Sequence, residues 1–380
     1  MNIIIAPDSF KGSLSAVEVS NYIEMGIKQA FRDVKTIKLP VGDGGEGTMD
    51  TLVAATGGTK KSLSVTGPLG NQVNASYGVL GDGITCVIEM ATASGLHLVP
   101  NGQLSPLTTT TYGTGELIKH ALDEGYKSFV IGLGGSATND GGAGMLQALG
   151  MKLQNQKGEE IKFGGGELNN IHYINLSHFD QRIKECKFLI ASDVQNPLIG
   201  PTGASHVFGP QKGATKEEVI ILDENLMHWA NMIEETTSIT LHEKAGAGAA
   251  GGIGGAFQAF FPVEFQRGVD VVLDFIKLNE YLNDAHLVIT GEGKVDSQTV
   301  YGKTPLGVAQ RAKSKNVPTI IIAGSIGKGF ESLYEHGVVS VNSIINCPMN
   351  LEEAMLHAGE LLVSTTEQVV RTFFYNEIKN

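Results

Sequence analysis

Strand alternates with helix at both ends of this 380-residue chain but not in its middle. That pattern narrows the fold more than any other feature of the sequence. Near the N-terminus Ile3–Ala6 reads as a buried strand, Ser15-Ala16-Val17-Glu18 as a capping box opening a helix through Phe31, and Ile37–Val41 as the next strand. From Leu287 the same order returns: Leu287–Thr290, a helix from Thr304, Thr319–Ala323, Val338–Ile345 and a final helix near Leu351–Tyr375. Such alternation requires parallel strands joined by helical crossovers. The expected fold is therefore α/β, with one open, parallel, Rossmann-like sheet built from both chain ends.

Between those ends the pattern changes to period-2 segments joined by turn signals: Leu63–Thr66, Pro68–Asn71, Val73–Leu80 and Ile84–Met90. These read as an antiparallel meander. Strand-like runs at Phe129–Leu133 and Phe188–Ala191 and a long amphipathic helix over Lys216–Glu235 follow, with Trp229 read as core on that helix. A second, mixed α/β domain inserted at residues 66–279 is expected, leaving 1–65 and 280–380 as one discontinuous domain, since this length favours two cores over one. The glycine-rich run Ala245–Phe261 carries six glycines and Gln258, a poor membrane span, and reads as a loop or tightly packed turn.

Charge and cysteine content exclude several function classes. A formal net charge of −12 supplies none of the basic field that nucleic acid or an anionic membrane surface needs, so neither is an expected partner. Cys86, Cys186 and Cys347 are far apart and form no C-x-x-C pair, which indicates neither a disulfide framework nor a thiolate zinc site. The opening apolar run is too short for a signal peptide. The expected compartment is the reducing cytoplasm, with association into a homo-oligomer left open.

Ligands of open parallel sheets bind beyond the carboxyl ends of the strands, and here those ends carry glycine and carboxylate. Asp8, Ser9 and Lys11 follow the first strand, and Gly42-Asp43-Gly44-Gly45-Glu46-Gly47 the second. Gly134-Gly135-Ser136-Ala137-Thr138-Asn139-Asp140-Gly141-Gly142 follows Phe129–Leu133, Asp193 and Asn196 follow Phe188–Ala191, and Gly291-Glu292-Gly293-Lys294-Val295-Asp296 follows Leu287–Thr290. The loop 134–142 is the best phosphate cradle, because glycines let backbone N–H groups approach phosphate oxygens and hydroxyls add donors. An ordinary tight strand-to-helix turn would look much the same. G-x-G-x-x-G/A discriminates little, since it occurs at Gly42–Gly47, Gly132–Ala137 and Gly246–Gly251. Gly302-Lys303-Thr304 resembles the end of a P-loop, with Thr304 at the cap and Pro305 at the first helical position, but Ser297 stands where the leading glycine should be.

Phosphoryl transfer needs a metal held by carboxylate, cations on the moving phosphate and a carboxylate near the attacking hydroxyl. Asp8, Asp43, Glu46, Asp193, Glu292 and Asp296 supply acids, and Lys11, Lys212, Lys294 and Lys303 supply cations. The expected catalytic set is Asp193 as base, with Lys11 and Asp296. Asp8, Asp43 and Asp296 are the expected Mg2+ ligands, and Gly134, Gly135, Ser136, Thr138, Asn139, Asp140, Lys212 and Lys303 the ATP contacts. No H-E-x-x-H or G-x-S-x-G occurs, which speaks against a zincin or a serine hydrolase.

Seven ordered motifs resemble the bacterial glycerate kinase family across essentially the whole chain. They are Ala6-Pro7-Asp8-Ser9-Phe10-Lys11-Gly12-Ser13, Asp43-Gly44-Gly45-Glu46-Gly47-Thr48, Gly113-Thr114-Gly115-Glu116, the run 134–142, Asp193-Val194-Gln195-Asn196-Pro197-Leu198, Gly209-Pro210-Gln211-Lys212-Gly213 and Thr290-Gly291-Glu292-Gly293-Lys294. The resemblance implies ATP and magnesium use, glycerate as acceptor, and a site in a cleft between two α/β domains; 2-phosphoglycerate is the expected product ahead of 3-phosphoglycerate, with the choice of hydroxyl left open by the sequence. The alternatives are a nucleotide-binding regulatory module without catalysis, a kinase for another small hydroxy acid, and a nicotinamide oxidoreductase.

Overall fold

Ile3, Ile4 and Ile5 pair in parallel with Thr36, Ile37 and Lys38 on one side and with Leu287, Val288 and Ile289 on the other. The first strand therefore lies inside a sheet whose next member is nearly the whole chain away. The computed structural model describes residues 1–375. The chain divides into two units, the first made of Met1–Asp43, Asp50–Gly57 and residues from Arg267 onward, the second of Gly44–Met49 and Gly58–Gln266.

The first unit holds a five-stranded, all-parallel sheet in the order Val338–Ser343, Thr319–Ala323, Leu287–Thr290, Asn2–Ile5, Lys35–Lys38. Its central strands are continuous apolar runs because helices cover the sheet. The helix Ala16–Ala30 opens on the capping box that the sequence indicates, with Ser15 and Glu18 each satisfying the other's backbone N–H. It packs on Ala358–Phe373 closely enough that a Cβ at Gly26 would lie 2.5 Å from the Val363 carbonyl oxygen, so only glycine fits. The final helix expected over 351–375 is two helices, Leu351–Leu356 and Ala358–Phe373.

The second unit holds a six-stranded mixed sheet in the order Val263–Gln266, Lys187–Ala191, Ser128–Gly132, Thr85–Glu89, Gln72–Val79, Thr59–Thr66. The last three form the antiparallel meander read from the sequence, and the remaining pairs are parallel. Pro68–Asn71 is not a strand but the hairpin turn between two of them, closed by Gly67 N–H on the Asn71 carbonyl and Gly70 N–H on the Gly67 carbonyl. The units change at Gly58 and Arg267 rather than near residues 65 and 280, because Thr59–Thr66 pairs along its full length with Gln72–Val79. The run expected to be a loop at Ala245–Phe261 is half helix: Ile253–Phe260 is helical with Ile253, Ala256 and Phe257 buried. Among the described residues no helix is long and apolar enough to cross a membrane.

Candidate active site

In the first unit the parallel register carries three carboxylates to one edge. Past the strand ends, Asp8 N–H donates to the Gly291 carbonyl, while Leu39 and Val41 N–H donate to the carbonyls of Ile5 and Pro7. Asp8 therefore runs beside Glu292 on one side and the segment leading to Asp43 on the other. Asp8 is only 8% exposed. One carboxylate oxygen accepts the Ser9 N–H at 2.6 Å and the other accepts the Thr304 hydroxyl at 2.6 Å. Burial, and then the neighbouring Asp43 carboxylate, push the Asp8 acid up to about 6. Lys11 stands 3.6 Å from Asp43, which raises the ammonium's pKa. Glu292 accepts the Thr299 hydroxyl at 2.6 Å and lies 3.5 Å from Lys303, and burial raises its pKa.

Two expectations change here. The cap of the helix Thr304–Ser314 is Lys303, not Thr304, and Pro305 sits at its second position. The Thr304 hydroxyl is thereby released from capping and orients Asp8 instead. Asp296 turns to Lys294 at 3.0 Å and accepts the Gln298 N–H, and Lys294 holds its pKa low. Asp296 is not on the wall of the cavity that opens at this edge, whereas Asp8, Lys11, Asp43, Glu292, Lys294 and Lys303 are. That cavity has a volume of about 720 Å³.

In the second unit the loop 134–142 is largely consumed by packing. Asp140 is buried, accepting N–H groups of Thr111, Gly142 and Gly144 together with the Thr111 hydroxyl, and burial raises its pKa against those bonds. Gly141 and Gly142 leave room for Trp229, Ile253 and Ala256, and the Trp229 indole donates to the Gly141 carbonyl at 3.0 Å. Lys212, 1% exposed, aims its ammonium at the Thr138 carbonyl at 2.6 Å, and burial pushes its pKa down to about 7. Asn139 donates to Ser205, while Thr138 Oγ1 and Asn139 Oδ1 are buried without a hydrogen-bond partner among the described residues. Ser136 is buried, and only Gly134 and Gly135 of the expected ATP contacts in this loop reach the surface. Asp193 is exposed just past Lys187–Ala191.

A model of the glycerate kinase family matches residues 3–374. The chain belongs to that family. Relatives include the glycerate kinase of Bacillus subtilis, 52% identical over 97% of each chain. The glycerate 2-kinase of Escherichia coli is 48% identical over 98% of each. A crystal structure of a protein from Salmonella typhimurium LT2, named as a glycerate kinase 2, superposes with a TM-score of 0.90 at 48% identity, covering 99% of both chains. Within this glycerate kinase family member, sequence reasoning missed Thr304 and Thr299 as the hydroxyls that orient Asp8 and Glu292. Threonines three and eight residues past the glycine-acid loop that ends at Asp296 were the available signal. It also missed Glu89, buried in the second unit, which accepts the N–H groups of Gly47 and Met49. That bond holds the segment following Gly44 from a strand distant in sequence.

Proposed function

We propose that this chain is an ATP-dependent glycerate kinase that phosphorylates the 2-hydroxyl, giving 2-phosphoglycerate and ADP. The observation that carries the reading is the buried Asp8, its charge opposed by Asp43, beside Lys11 and Lys303 at the carboxyl edge of a parallel sheet. A buried carboxylate whose pKa is raised by burial and by a second carboxylate beside it is relieved by a cation. Among the described residues no group of three His, Cys, Asp or Glu forms a metal centre. That donor set fits Mg2+, which usually takes one or two protein carboxylates and completes its shell with phosphate and water. Asp8 and Asp43 would hold the ion, which supplies charge neutralisation on the phosphates.

The chain's own residues supply the rest. Lys11 and Lys303 place positive charge where the transferring group gains negative charge, Asp193 accepts the acceptor hydroxyl's proton, and Gly134 with Gly135 offers the part of its loop that reaches the surface to phosphate. The Escherichia coli relative's name supports the choice of the 2-hydroxyl. The free thiols of Cys86, Cys186 and Cys347 suit a reducing cytoplasm. Glycerate-dependent ADP release, with phosphorus NMR of the product, tests the proposal; no ADP release with glycerate, or a 3-phosphoglycerate signal, overturns its corresponding part.

Three variants test the site. Asp8→Asn is expected to raise the Mg2+ concentration for half-maximal rate by roughly tenfold or more, as loss of one charged metal ligand should. Asp296→Asn, which only loosens Lys294, should leave it near the unsubstituted value; the reverse pattern would move the metal to Asp296. Gly135→Val is expected to weaken ATP binding by about tenfold. Its φ of +74° strains any branched side chain, so circular dichroism must first show a folded variant. Unchanged ATP affinity in that folded protein removes the loop from the nucleotide site.

A further inference from the structure

The cavity of the first unit is chemically two-sided. The sheet order separates the sides, because Asp8, Asp43 and Glu292 follow the strands Asn2–Ile5, Lys35–Lys38 and Leu287–Thr290, whereas Ile344 and Ile345 follow the opposite edge strand, Val338–Ser343. Three strand spacings, ~14 Å, separate Asn2–Ile5 from that edge. The wall there is made of Phe10, Ile344, Ile345, Met349, Leu351 and Met355, with no charged side chain among them. The helix Leu351–Leu356 buries none of its residues, and Leu351 is left 75% exposed beside the cavity.

Phe10 and Ile344 are buried behind this wall, but Ile345 and Leu351 are exposed and Met349 and Met355 half-buried, and a fold in water does not gain by leaving these uncovered. Glycerate has three carbons and four oxygens and offers no apolar face to cover it. Of the two substrates in the proposed reaction, only the nucleotide carries a flat apolar ring joined to a polyanion. The volume of about 720 Å³ falls in the range of cofactor pockets, ~300–1,000 Å³, and is far larger than a three-carbon acid needs. Methionines suit a planar ring, since their flexible thioethers make favourable contacts with aromatic systems. Asn350 lines the same wall and uses its side-chain oxygen to cap the Leu351–Leu356 helix, so its amide nitrogen is the part of that side chain left to donate, as a purine's acceptor nitrogens require.

We infer that this apolar wall receives the purine base of the nucleotide, with the polyphosphate running toward Lys11 and Lys303. The inference rests on the proposed kinase activity for the identity of the ligand, and it can be decided separately from it. Ala354 and Ile345 line the wall without contributing a charge. Ala354→Phe fills the base's space, and Ile345→Asp places a carboxylate in it. Calorimetric titration with ADP in the absence of glycerate is expected to show affinity at least tenfold weaker in both variants. Inhibition by inorganic tripolyphosphate and the KM for glycerate should stay within twofold, because neither ligand has a base. ADP affinity within twofold of the unsubstituted protein in whichever variant melts as a folded chain would overturn the assignment, as would a rise in glycerate KM in place of the loss of ADP. If the unsubstituted protein binds ADP yet releases none with glycerate, the acceptor reading fails, and the ADP titration still decides the place of the base.

Discussion

Asp193→Asn should lower kcat by ~10²-fold or more, the usual contribution of a general base, while leaving the magnesium requirement almost unchanged. Asp193 lies in the exposed segment just past Lys187–Ala191, two residues from the sheet and followed by Asn196 and Pro197. A carboxylate that only accepts a proton can be lost with substrate binding retained, so KM for glycerate and for ATP should move little. Removing a metal ligand leaves a different mark, a rate recovered at higher magnesium. Steady-state kinetics at several magnesium concentrations separates the two. A near-normal kcat, or a loss rescued by excess magnesium, would show that Asp193 is not the base.

Lys212→Met should remove most of the rise in stability that the unsubstituted protein gains between neutral pH and about pH 10. In the folded chain burial holds the Lys212 ammonium at about 7, well below its ordinary value of 10.5. Between those values the unfolded chain carries a proton that the folded chain does not, so stability rises with pH. The contribution is complete above 10.5 and is lost as pH falls through about 7. A shift of that size corresponds to a few kcal/mol at roughly 1.4 kcal/mol per unit. At pH 7 the variant also escapes charge burial but gives up the bond to the Thr138 carbonyl, a loss of about 1–3 kcal/mol, so its neutral-pH stability should differ less than its slope. Urea unfolding at pH 7 and pH 9.5 reads the difference; parallel slopes for the two proteins would mean that Lys212 does not titrate in this window.

Local signals carried far in this chain, and their failures share one cause. The capping box at Ser15 and Glu18, the period-2 meander and the long helix beginning at Lys216 depend on neighbours a few residues apart, and each stands where its residues indicate. Pro68–Asn71 alternates like a strand, yet Gly67 and Gly70 close it into a turn. Ala245–Phe261 looks unstructured by its glycines, yet Phe257 and Ile253 find a core and the helix follows. At the site, the acids Asp8, Asp43 and Glu292 were visible as residue types at strand ends. Which of them would be desolvated, and that Thr304 would leave its cap to bind Asp8 across 296 positions, depends on tertiary packing that no local window contains. Lys212 shows the same limit: its motif marks it as a phosphate contact, while burial directs its ammonium to a backbone carbonyl.

The first unit is written in pieces, and this matters while the chain is being made. Asn2–Ile5 takes its inner neighbour from Leu287–Thr290, and Gly26 on the first helix meets Val363 and Thr366. The second unit has all six strands of its sheet by Gln266. On a ribosome adding ~5–20 residues per second, the roughly 250 residues between Lys38 and Leu287 take on the order of ten to fifty seconds to emerge. Through that interval Asn2–Ile5 can pair only with Lys35–Lys38, its other edge having no partner yet synthesised, while the later-starting unit can already close its own sheet. The unit that begins first along the polypeptide is thus the last to have all its strands.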